Sequence, residues 1–319
     1  MDRKKIVITR KIPEIGVEKL KEIFDVEVSP LDRDVTQDEI IKLATGAQGL
    51  VSMVTNNLNK DIIDHLTTIK IIANYAVGFN NIDIEYAREK GIVVTNTPDV
   101  LTEATADIAM ALILCTARRI VEGDRLVRKE EFKGFYPTFF LGVELQNKVL
   151  GIYGMGRIGK AVAKRAVTCG LKIIYHNPIQ IAKASINFSA HYVSFDELLK
   201  ESDFISIHAP LITETYHKFT KKEFRKMKKE AFLINAARGP LVKEEDLAYA
   251  LKQGWIAGAG LDVYEFEPEV HPDLIKLDNV VLLPHIGSAA TEVRERMATI
   301  AADNIIAFFK GEPPPNRVN

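Results

Sequence analysis

Cysteine and tryptophan are scarce in this sequence of 319 residues, which contains two cysteines and one tryptophan. Cys115 and Cys169 lie in apolar helical patterns, with no C-x-x-C motif and no histidine-rich neighbourhood. The sequence therefore predicts neither a disulfide framework nor a metal site. We interpret both cysteines as small, buried core residues.

The sequence also has almost no net charge and no long hydrophobic run. Its 42 basic and 43 acidic residues give a net charge of −1, so no global field attracts nucleic acid or acidic lipid. The apolar stretch at residues 108–117 is shorter than the ~20 residues that span a bilayer. The charged N-terminus leads directly into a strand pattern rather than a signal peptide. We expect a cytoplasmic protein that binds neither nucleic acid nor membrane.

Short β-branched runs alternate with amphipathic helical patterns along most of the chain. The runs up to Pro98 predict a first α/β unit with parallel strands covered on both faces. From Val149 the alternation restarts and predicts about six strands, enough for a doubly wound dinucleotide-binding sheet. One long helix is predicted from Leu101 to Val127, and a last helix from Thr291 to Phe309.

A glycine-rich motif, GMGRIG at residues 154–159, follows the apolar run VLGIY. Gly154 suits a tight turn, Gly156 allows the backbone to approach a pyrophosphate, and Gly159 permits close helix packing. The helix that begins near Arg157 offers its N–H groups and positive dipole end to phosphates. This context favours dinucleotide binding over a simple strand-to-helix turn.

The second strand of a dinucleotide-binding fold usually ends with an acidic residue that binds the adenosine ribose. Here Asn177 occupies that place, and Pro178, Ile179 and Gln180 follow it. Asparagine can bond a ribose hydroxyl but does not repel a 2′-phosphate, and no arginine follows to bind that phosphate. The choice between NAD and NADP stays open, and the residues favour NADP(H) or the use of both coenzymes.

Charged or titratable residues follow three strand patterns in the second half of the chain: Arg238, then Asp262 and Glu267, then His285. The carboxyl ends of parallel strands meet at one crevice, so we expect these residues to converge. Arginine suits a carboxylate or polarised carbonyl, and histidine exchanges protons near neutral pH. A neighbouring glutamate favours the imidazolium. These groups fit reversible hydride transfer between a nicotinamide and a 2-keto acid.

Seven segments together resemble a known family. They are ANYAVGFNNID, TPDVLTEATAD, FFLG, GMGRIG, INAARGPLV, GAGLDVYEFEP and LLPHIGSAAT. In this order the chain resembles the D-isomer-specific 2-hydroxyacid dehydrogenases, and most closely their glyoxylate and hydroxypyruvate reductase (glycerate dehydrogenase) branch. The resemblance implies reduction of glyoxylate to glycolate or of hydroxypyruvate to D-glycerate with NADH or NADPH.

The resemblance also implies a fold and an assembly. The fold is α/β, with two Rossmann-like or flavodoxin-like doubly wound parallel-sheet domains and a cleft between them. Residues 1–98 plus 288–319 would form a discontinuous substrate domain, and residues 99–287 the NAD(P)-binding Rossmann domain. The family pattern implies a homodimer paired through the coenzyme domains.

Individual roles follow from the same resemblance. It implies that His285 is the acid/base, that Glu267 is its partner, and that Arg238 clamps the substrate. Val77 and Gly78 would hold the substrate carboxylate through backbone N–H groups. Met53, in the cation-free segment at residues 52–59, is expected to supply an apolar wall to the substrate site. The coenzyme-binding residues would be Gly154, Gly156, Arg157, Ile158, Gly159, Asn177, Pro210, Ala236, Asp262 and His285. No metal site is expected.

Two alternatives stay open. The chain could be a dehydrogenase for another acid, such as D-3-phosphoglycerate, a bulkier 2-keto acid or phosphite. The segment at residues 52–59 contains no cation, which favours a small unphosphorylated substrate, but the tryptophan that many glyoxylate reductases carry near the position of Phe139 is absent. Alternatively, the chain could be a non-catalytic nucleotide sensor, similar to corepressors that keep the same three catalytic residues.

Overall fold

The structure, a computed structural model, describes residues 3–178 and 187–319. It divides into two compact units. The first comprises Met1–Leu101 and Ala289–Asn319, and the second comprises Thr102–Ser288. The second unit therefore interrupts the first in the sequence. The predicted boundaries and the roles assigned to the two units stay predictions.

The first unit is built on a parallel sheet. Its strands are β1 (Lys5–Ile8), β2 (Asp25–Val28), β3 (Gly49–Met53), β4 (Ile71–Tyr75) and β5 (Val93–Thr95). Their order is β2-β1-β3-β4-β5, and every pair is parallel. The helices are α1 (Glu14–Lys21), α2 (Gln37–Ala44), α3 (Lys60–His65), α4 (Ile84–Glu89) and the C-terminal α12 (Thr291–Phe309). Helices α1 and α12 pack so closely that a Cβ on Gly16 would lie 2.6 Å from the carbonyl oxygen of Ala298.

The second unit contains a larger parallel sheet. Its strands are β6 (Val149–Tyr153), β7 (Lys172–His176), β8 (Ala190–Tyr192), β9 (Phe204–Ile207), β10 (Phe232–Asn235), β11 (Gly258–Leu261) and β12 (Val280–Leu282). Their order is β12-β11-β10-β9-β6-β7-β8. The helices are α5 (Thr102–Ala117), α6 (Ile120–Arg128), α7 (Arg157–Thr168), α8 (Phe195–Glu201), α9 (Lys221–Phe224), α10 (Glu244–Lys252) and α11 (Pro272–Ile275). The predicted pair of doubly wound parallel sheets is confirmed.

The strand order of the second sheet reverses between β6 and β9. From β6 the chain continues outward through β7 and β8, and then returns to β9 on the other side of β6. Connections that leave in opposite directions open a crevice at the carboxyl ends of the two central strands. The glycine-rich motif directly follows β6 and therefore lies at this switch point.

The central strands are buried on both faces. Every residue of β9, β10 and β11 is buried, as expected for parallel strands covered by helices. Phe204 of β9 stacks on Phe232 of β10, with ring centroids 5.3 Å apart. This packed core fixes the ends of the strands from which the candidate site residues emerge.

The predicted long helix is wrong in one respect, because the structure breaks it into α5 and α6. Arg119 adopts a left-handed conformation with φ of 57°, and its guanidinium lies 4.0 Å from the ring centre of Phe140. The N–H of Val143 donates to the carbonyl of Ala117 at 2.7 Å and so ends α5. The break depends on a segment more than twenty residues further on, which a helical pattern does not reveal.

Two smaller expectations also differ from the structure. Strand β8, Ala190–Tyr192, has only three residues at the edge of the sheet and no apolar run that would predict it. Cys169 is exposed rather than buried, because it follows the last turn of α7, and Cys115 is partly exposed.

Candidate active site

The glycine-rich turn is tightly enclosed. Gly154 has a φ of +99°, and a Cβ there would lie 2.6 Å from the backbone nitrogen of Ala209, after β9. Its N–H donates to the carbonyl of His176 at 3.0 Å, which ties the turn to the end of β7. A side chain at position 154 would meet both strain and backbone, so glycine is required by the fold itself.

The other two motif glycines have different surroundings. A Cβ on Gly159 would lie 2.3 Å from the carbonyl oxygen of Gly154, whereas a Cβ on Gly156 would have nothing within 4 Å. Gly156 therefore leaves open space in front of α7, which begins at Arg157 and continues with Ile158. The first turn of a helix directs its N–H groups out of the helix end, where they bind anions. These features fit a dinucleotide pyrophosphate.

Asn177 lies directly after β7, beside the glycine turn. Its Oδ1 accepts the N–H of Met155 at 2.7 Å, so the opposite side of the amide presents its Nδ2 donor. The neighbouring His176 is held by the carbonyl of Val193 at 3.0 Å. Two residues used to predict coenzyme choice, Ile179 and Gln180, lie outside the described residues.

Arg238 emerges three residues after β10 on a loop fixed by Asn235. The side chain of Asn235 accepts the N–H of Ala237 at 3.1 Å and donates to the carbonyl of Arg238 at 2.9 Å. Burial lowers the pKa of the Arg238 guanidinium, and the negative charge of Glu267 opposes that shift. A guanidinium remains protonated in proteins, so the loop presents a fixed positive charge near Glu267.

His285 and Glu267 form a direct pair. Nδ1 of His285 lies 2.7 Å from Oε2 of Glu267, although the two residues follow different strands, β12 and β11. The other carboxylate oxygen of Glu267 accepts the N–H of Tyr264 at 2.9 Å. His285 has a left-handed backbone with φ of 53°, which is uncommon for a residue other than glycine. The structure thus brings together two of the predicted catalytic side chains.

Electrostatics support the ionised form of Glu267. Burial raises the pKa of this carboxyl. The hydrogen bond and charge of His285, the Tyr264 N–H and the charge of Arg238 together lower the pKa by more than burial raises it. The net result is a pKa below the usual value for glutamate. The carboxylate occupies Nδ1 of His285 and leaves Nε2, on the other side of the ring, without a bond to Glu267.

Asp262 stabilises the turn that follows His285. Its two carboxylate oxygens accept the N–H groups of Ile286 and Gly287, each at 2.7 Å. Burial raises the pKa of Asp262, which these bonds and the charge of His285 only partly offset. The structure gives Asp262 a role in holding the His285 turn, beside its predicted contact with the nicotinamide.

The remaining predicted coenzyme contacts lie at neighbouring strand ends. Ala236 directly follows β10 and is buried. Pro210 lies three residues after β9, is exposed, and accepts the hydroxyl of Thr215 at 2.7 Å through its carbonyl. Both positions belong to the carboxyl edge of the second sheet, as does the glycine turn.

The predicted substrate contacts in the first unit lie at the carboxyl ends of its strands. Met53 ends β3, and Val77 and Gly78 follow β4. Asn96 donates to the carbonyl of Val77 at 2.7 Å, and Asn74 donates to the carbonyl of Gly78 at 2.9 Å. Because a peptide N–H points opposite to the C=O of the preceding residue, the N–H groups of Gly78 and Phe79 point away from the asparagines. The loop can therefore offer successive N–H donors to an anion.

Sequence reasoning missed the residues that support the site. Asn74, Asn96 and Asn235 are buried polar side chains within or directly after apolar strands, and Glu244 is a carboxylate of which only 4% is exposed. Buried polar groups require hydrogen-bond partners, so an asparagine in an apolar run is itself a signal. Glu244 gives no such signal, because it stands in a run of charged residues.

The described part of the chain was searched for metal-binding clusters and for helices that could span a membrane. No group of three or more His, Cys, Asp or Glu side chains there could hold a metal ion. None of the helices in the same ranges combines the length and apolar character needed to cross a membrane.

Comparison with known proteins gives consistent matches. Residues 110–287 match the family described as D-isomer specific 2-hydroxyacid dehydrogenase, NAD binding domain. A glyoxylate reductase from Thermococcus litoralis is 51% identical over 319 residues, which cover 99% of this chain and 96% of the relative. The similarity therefore extends over both structural units.

Solved structures agree with the sequence relatives. A glyoxylate reductase from Paecilomyes thermophila has a TM-score of 0.89 at 32% identity, with 100% of this chain and 99% of that chain covered. An NADPH-dependent glyoxylate/hydroxypyruvate reductase from Sinorhizobium meliloti, solved with NADP and malonate, has a TM-score of 0.87 at 31% identity. That match covers 99% of this chain and 97% of the other.

Proposed function

Since the chain belongs to the D-isomer-specific 2-hydroxyacid dehydrogenase family, and is an NAD(P)-dependent oxidoreductase that reduces small 2-keto acids, we propose that glyoxylate and hydroxypyruvate are its substrates. The products are glycolate and D-glycerate. The observation that carries this proposal is the 2.7 Å hydrogen bond between His285 and Glu267. It prepares an imidazole for proton exchange beside the positive charge of Arg238.

The chemistry divides between coenzyme and protein. When bound, the reduced nicotinamide supplies the hydride for the carbonyl carbon of the substrate. His285 donates a proton from Nε2 to the carbonyl oxygen, and Glu267 stabilises the imidazolium before the transfer. In the direction of oxidation, the same imidazole takes the proton from the hydroxyl. Arg238 orients the substrate through its planar donors, which match a carboxylate or keto oxygen.

The substrate carboxylate is proposed to bind the backbone N–H groups of Val77 and Gly78, with Met53 as an apolar contact. The hydrogen bond from Asn96 supports the proposal for Gly78, because it fixes the Val77 carbonyl and with it the direction of the Gly78 N–H. Asn74 holds the carbonyl of Gly78 itself. Asn96→Ala is expected to raise the KM for glyoxylate and leave the KM for coenzyme unchanged. An unchanged KM for glyoxylate would contradict the carboxylate role of this loop.

The coenzyme is proposed to be NADPH, or else the protein uses both NADH and NADPH. Asn177 is neutral, and its oxygen is occupied by the N–H of Met155, so the side chain presents an amide donor. Such a donor suits a phosphate oxygen or a ribose hydroxyl equally, and nothing on Asn177 repels a 2′-phosphate.

The decisive experiment is the initial rate of coenzyme oxidation, followed by absorbance. Glyoxylate and hydroxypyruvate are each tested with NADH and with NADPH, beside a bulky 2-keto acid and a phosphorylated 3-carbon 2-keto acid as alternative substrates. Turnover of the two small acids is expected. Faster turnover of a competitor would move the proposal to another substrate, and coenzyme binding without any turnover would indicate a sensor.

We also propose that the protein is a homodimer paired through the second unit. Helix α6 buries none of its residues, and the segment after it exposes Phe132, Phe135, Tyr136 and Leu141. An exposed apolar patch of this kind marks an interaction surface. Light scattering after gel filtration is expected to give twice the chain mass. Phe135→Ser should yield monomer and Ile275→Ser, at another exposed apolar position, should not; a wild-type monomer would refute the proposal.

We place the protein in the cytoplasm, where reduced nicotinamide coenzymes are available to such a reductase. Fractionation of cells followed by detection of the chain tests this location. Recovery in the membrane or secreted fraction would contradict it.

A further inference from the structure

One short segment of the second unit carries Glu267 in a turn, in which the N–H of Glu269 donates to the carbonyl of Phe266 at 2.9 Å. It runs from Glu265, four residues after β11 ends, to His271, directly before α11. Within it, Glu267 contacts both His285 and the N–H of Tyr264. The turn holds the middle of the segment, and the position of the Glu267 carboxylate also depends on what holds the two ends.

A single side chain from another element holds both ends. Glu244 is the first residue of α10, and 4% of it is exposed. Its Oε1 accepts the N–H of Glu265 at 2.7 Å, and its Oε2 accepts the N–H of His271 at 3.1 Å. The two oxygens thus close the loop at its first and last residue.

We propose that Glu244 is a positioning residue for the catalytic pair: its buried carboxylate fixes both ends of the segment Glu265–His271 and so holds Glu267 at His285. This inference rests on the proposed function, because it concerns the proton-transfer pair of that reaction. Glu244 itself touches neither His285 nor Glu267 by hydrogen bond, so it acts only through the segment.

A second set of bonds makes the arrangement reciprocal. The N–H of Glu244 donates to Oε2 of Glu265 at 3.0 Å, and Oε1 of Glu265 lies 2.6 Å from Nε2 of His217. The charged and titratable groups facing Glu244 are Glu265, with His217 behind it, His271 and Tyr264. Burial raises the pKa of Glu244, and the N–H groups of Glu265 and His271 oppose that shift. Its place in the first turn of α10 also favours a carboxylate through the helix dipole.

The role requires an acceptor at both oxygens. A glutamine at this position has one oxygen and one NH₂ group, so one of the two backbone N–H groups would face another donor. That end of the segment would lose its bond and move, because two donors repel each other. Glu267 would then spend less time at hydrogen-bond distance from His285.

The test compares Glu244→Gln with Glu245→Gln in the full chain. Glu245 is the next residue in the sequence and its side chain is 68% exposed, so it controls for the loss of one negative charge. For Glu244→Gln we expect kcat for glyoxylate to fall about tenfold, with the KM for coenzyme unchanged. The alkaline limb of the pH profile should move to lower pH, which loss of global stability alone would not cause. Glu245→Gln should match the wild type.

A measurement independent of turnover separates this inference from the proposed function. The imidazole signals of the histidines are followed by NMR during a pH titration, and His285→Ala identifies the signal of His285. In Glu244→Gln the midpoint of that titration should move to lower pH, and in Glu245→Gln it should stay in place. If the wild type reduces no 2-keto acid, the proposed function fails, while the titration still decides the positioning role.

A further variant guards against misfolding. Glu244→Asp keeps the charge but shortens the side chain by one methylene group, so it can reach one end of the segment at a time. We expect its kcat and pH profile to lie between those of the wild type and Glu244→Gln. Wild-type pH profiles and titration midpoints in a folded Glu244→Gln, or in Glu244→Asp if the first variant does not fold, would overturn the inference.

Discussion

Replacing Glu267 with glutamine removes the charge that His285 faces and keeps the shape of the side chain. In the native protein one carboxylate oxygen accepts the Tyr264 N–H, and the other lies 2.7 Å from Nδ1 of His285. A glutamine whose oxygen keeps the Tyr264 bond must turn its NH₂ group toward Nδ1. That arrangement favours the neutral ring with its proton on Nε2 and disfavours the imidazolium.

The size of this effect follows from the exposure of the pair. A hydrogen bond to a charged group contributes about 1.5–3 kcal/mol. The side chains of His285 and Glu267 are 34% and 24% exposed, so solvent screens part of that energy. We therefore take about 1.4 kcal/mol, which corresponds to about one pH unit. The pH at which reduction is half-maximal on the alkaline side should fall by this amount.

The assay is the pH dependence of kcat for glyoxylate reduction, with both substrates saturating. Glu269→Gln serves as the control, because Glu269 lies on the same segment and its side chain is exposed. The control should keep the wild-type profile, and Glu267→Gln should lose activity at neutral pH while recovering part of it in acid. A profile of Glu267→Gln that superimposes on the wild type would refute the role of the pair.

Three further predictions concern the coenzyme and the proton donor. His285→Ala should lower kcat by ~10²-fold or more, with coenzyme Kd retained in fluorescence titrations. Asn177→Asp should raise kcat/KM for NADH relative to NADPH about tenfold, because a carboxylate repels the 2′-phosphate. Gly159→Ala should lower Tm, because a Cβ there would lie 2.3 Å from the carbonyl oxygen of Gly154. A Cβ at position 156 would have no atom within 4 Å, so Gly156→Ala should weaken coenzyme binding without changing Tm.

Each of these variants has a contrary outcome. Near-normal turnover in His285→Ala would remove this residue from the chemistry. An unchanged coenzyme ratio in Asn177→Asp would show that residue 177 does not face the ribose. Equal losses of Tm in the Gly156 and Gly159 variants would show that both glycines serve the fold alone.

The regular parts of the fold were predictable because their signals are local. Apolar β-branched runs in a βα alternation indicated parallel strands, and α12 lies where the sequence predicts its last helix, Thr291–Phe309. The end of α5 at Ala117 was not predictable in this way. It depends on Val143 and on the contact between Arg119 and Phe140, which join residues distant in the sequence.

The residues of the candidate site also divide into those with a local sequence signal and those without one. Arg238, Glu267 and His285 could be proposed because each follows a strand pattern, and parallel strands bring their carboxyl ends to one edge. The hydrogen bond between Glu267 and His285 joins segments that follow the neighbouring parallel strands β11 and β12. Glu244 could not be proposed, because its hydrogen-bond partners Glu265 and His271 lie more than twenty residues further along the sequence.

The second unit interrupts the sequence of the first, and this order has a consequence for synthesis. A ribosome completes residues 102–288 before it makes α12, so the second unit can fold while the first unit still lacks that helix. Asn304 of α12 donates to the carbonyl of Asn96 at 3.3 Å, and Asn96 in turn holds Val77. We therefore expect the nascent chain to form its proposed coenzyme site first. The loop at Val77 that is proposed to bind the substrate carboxylate would be fixed only after α12 packs onto the first unit.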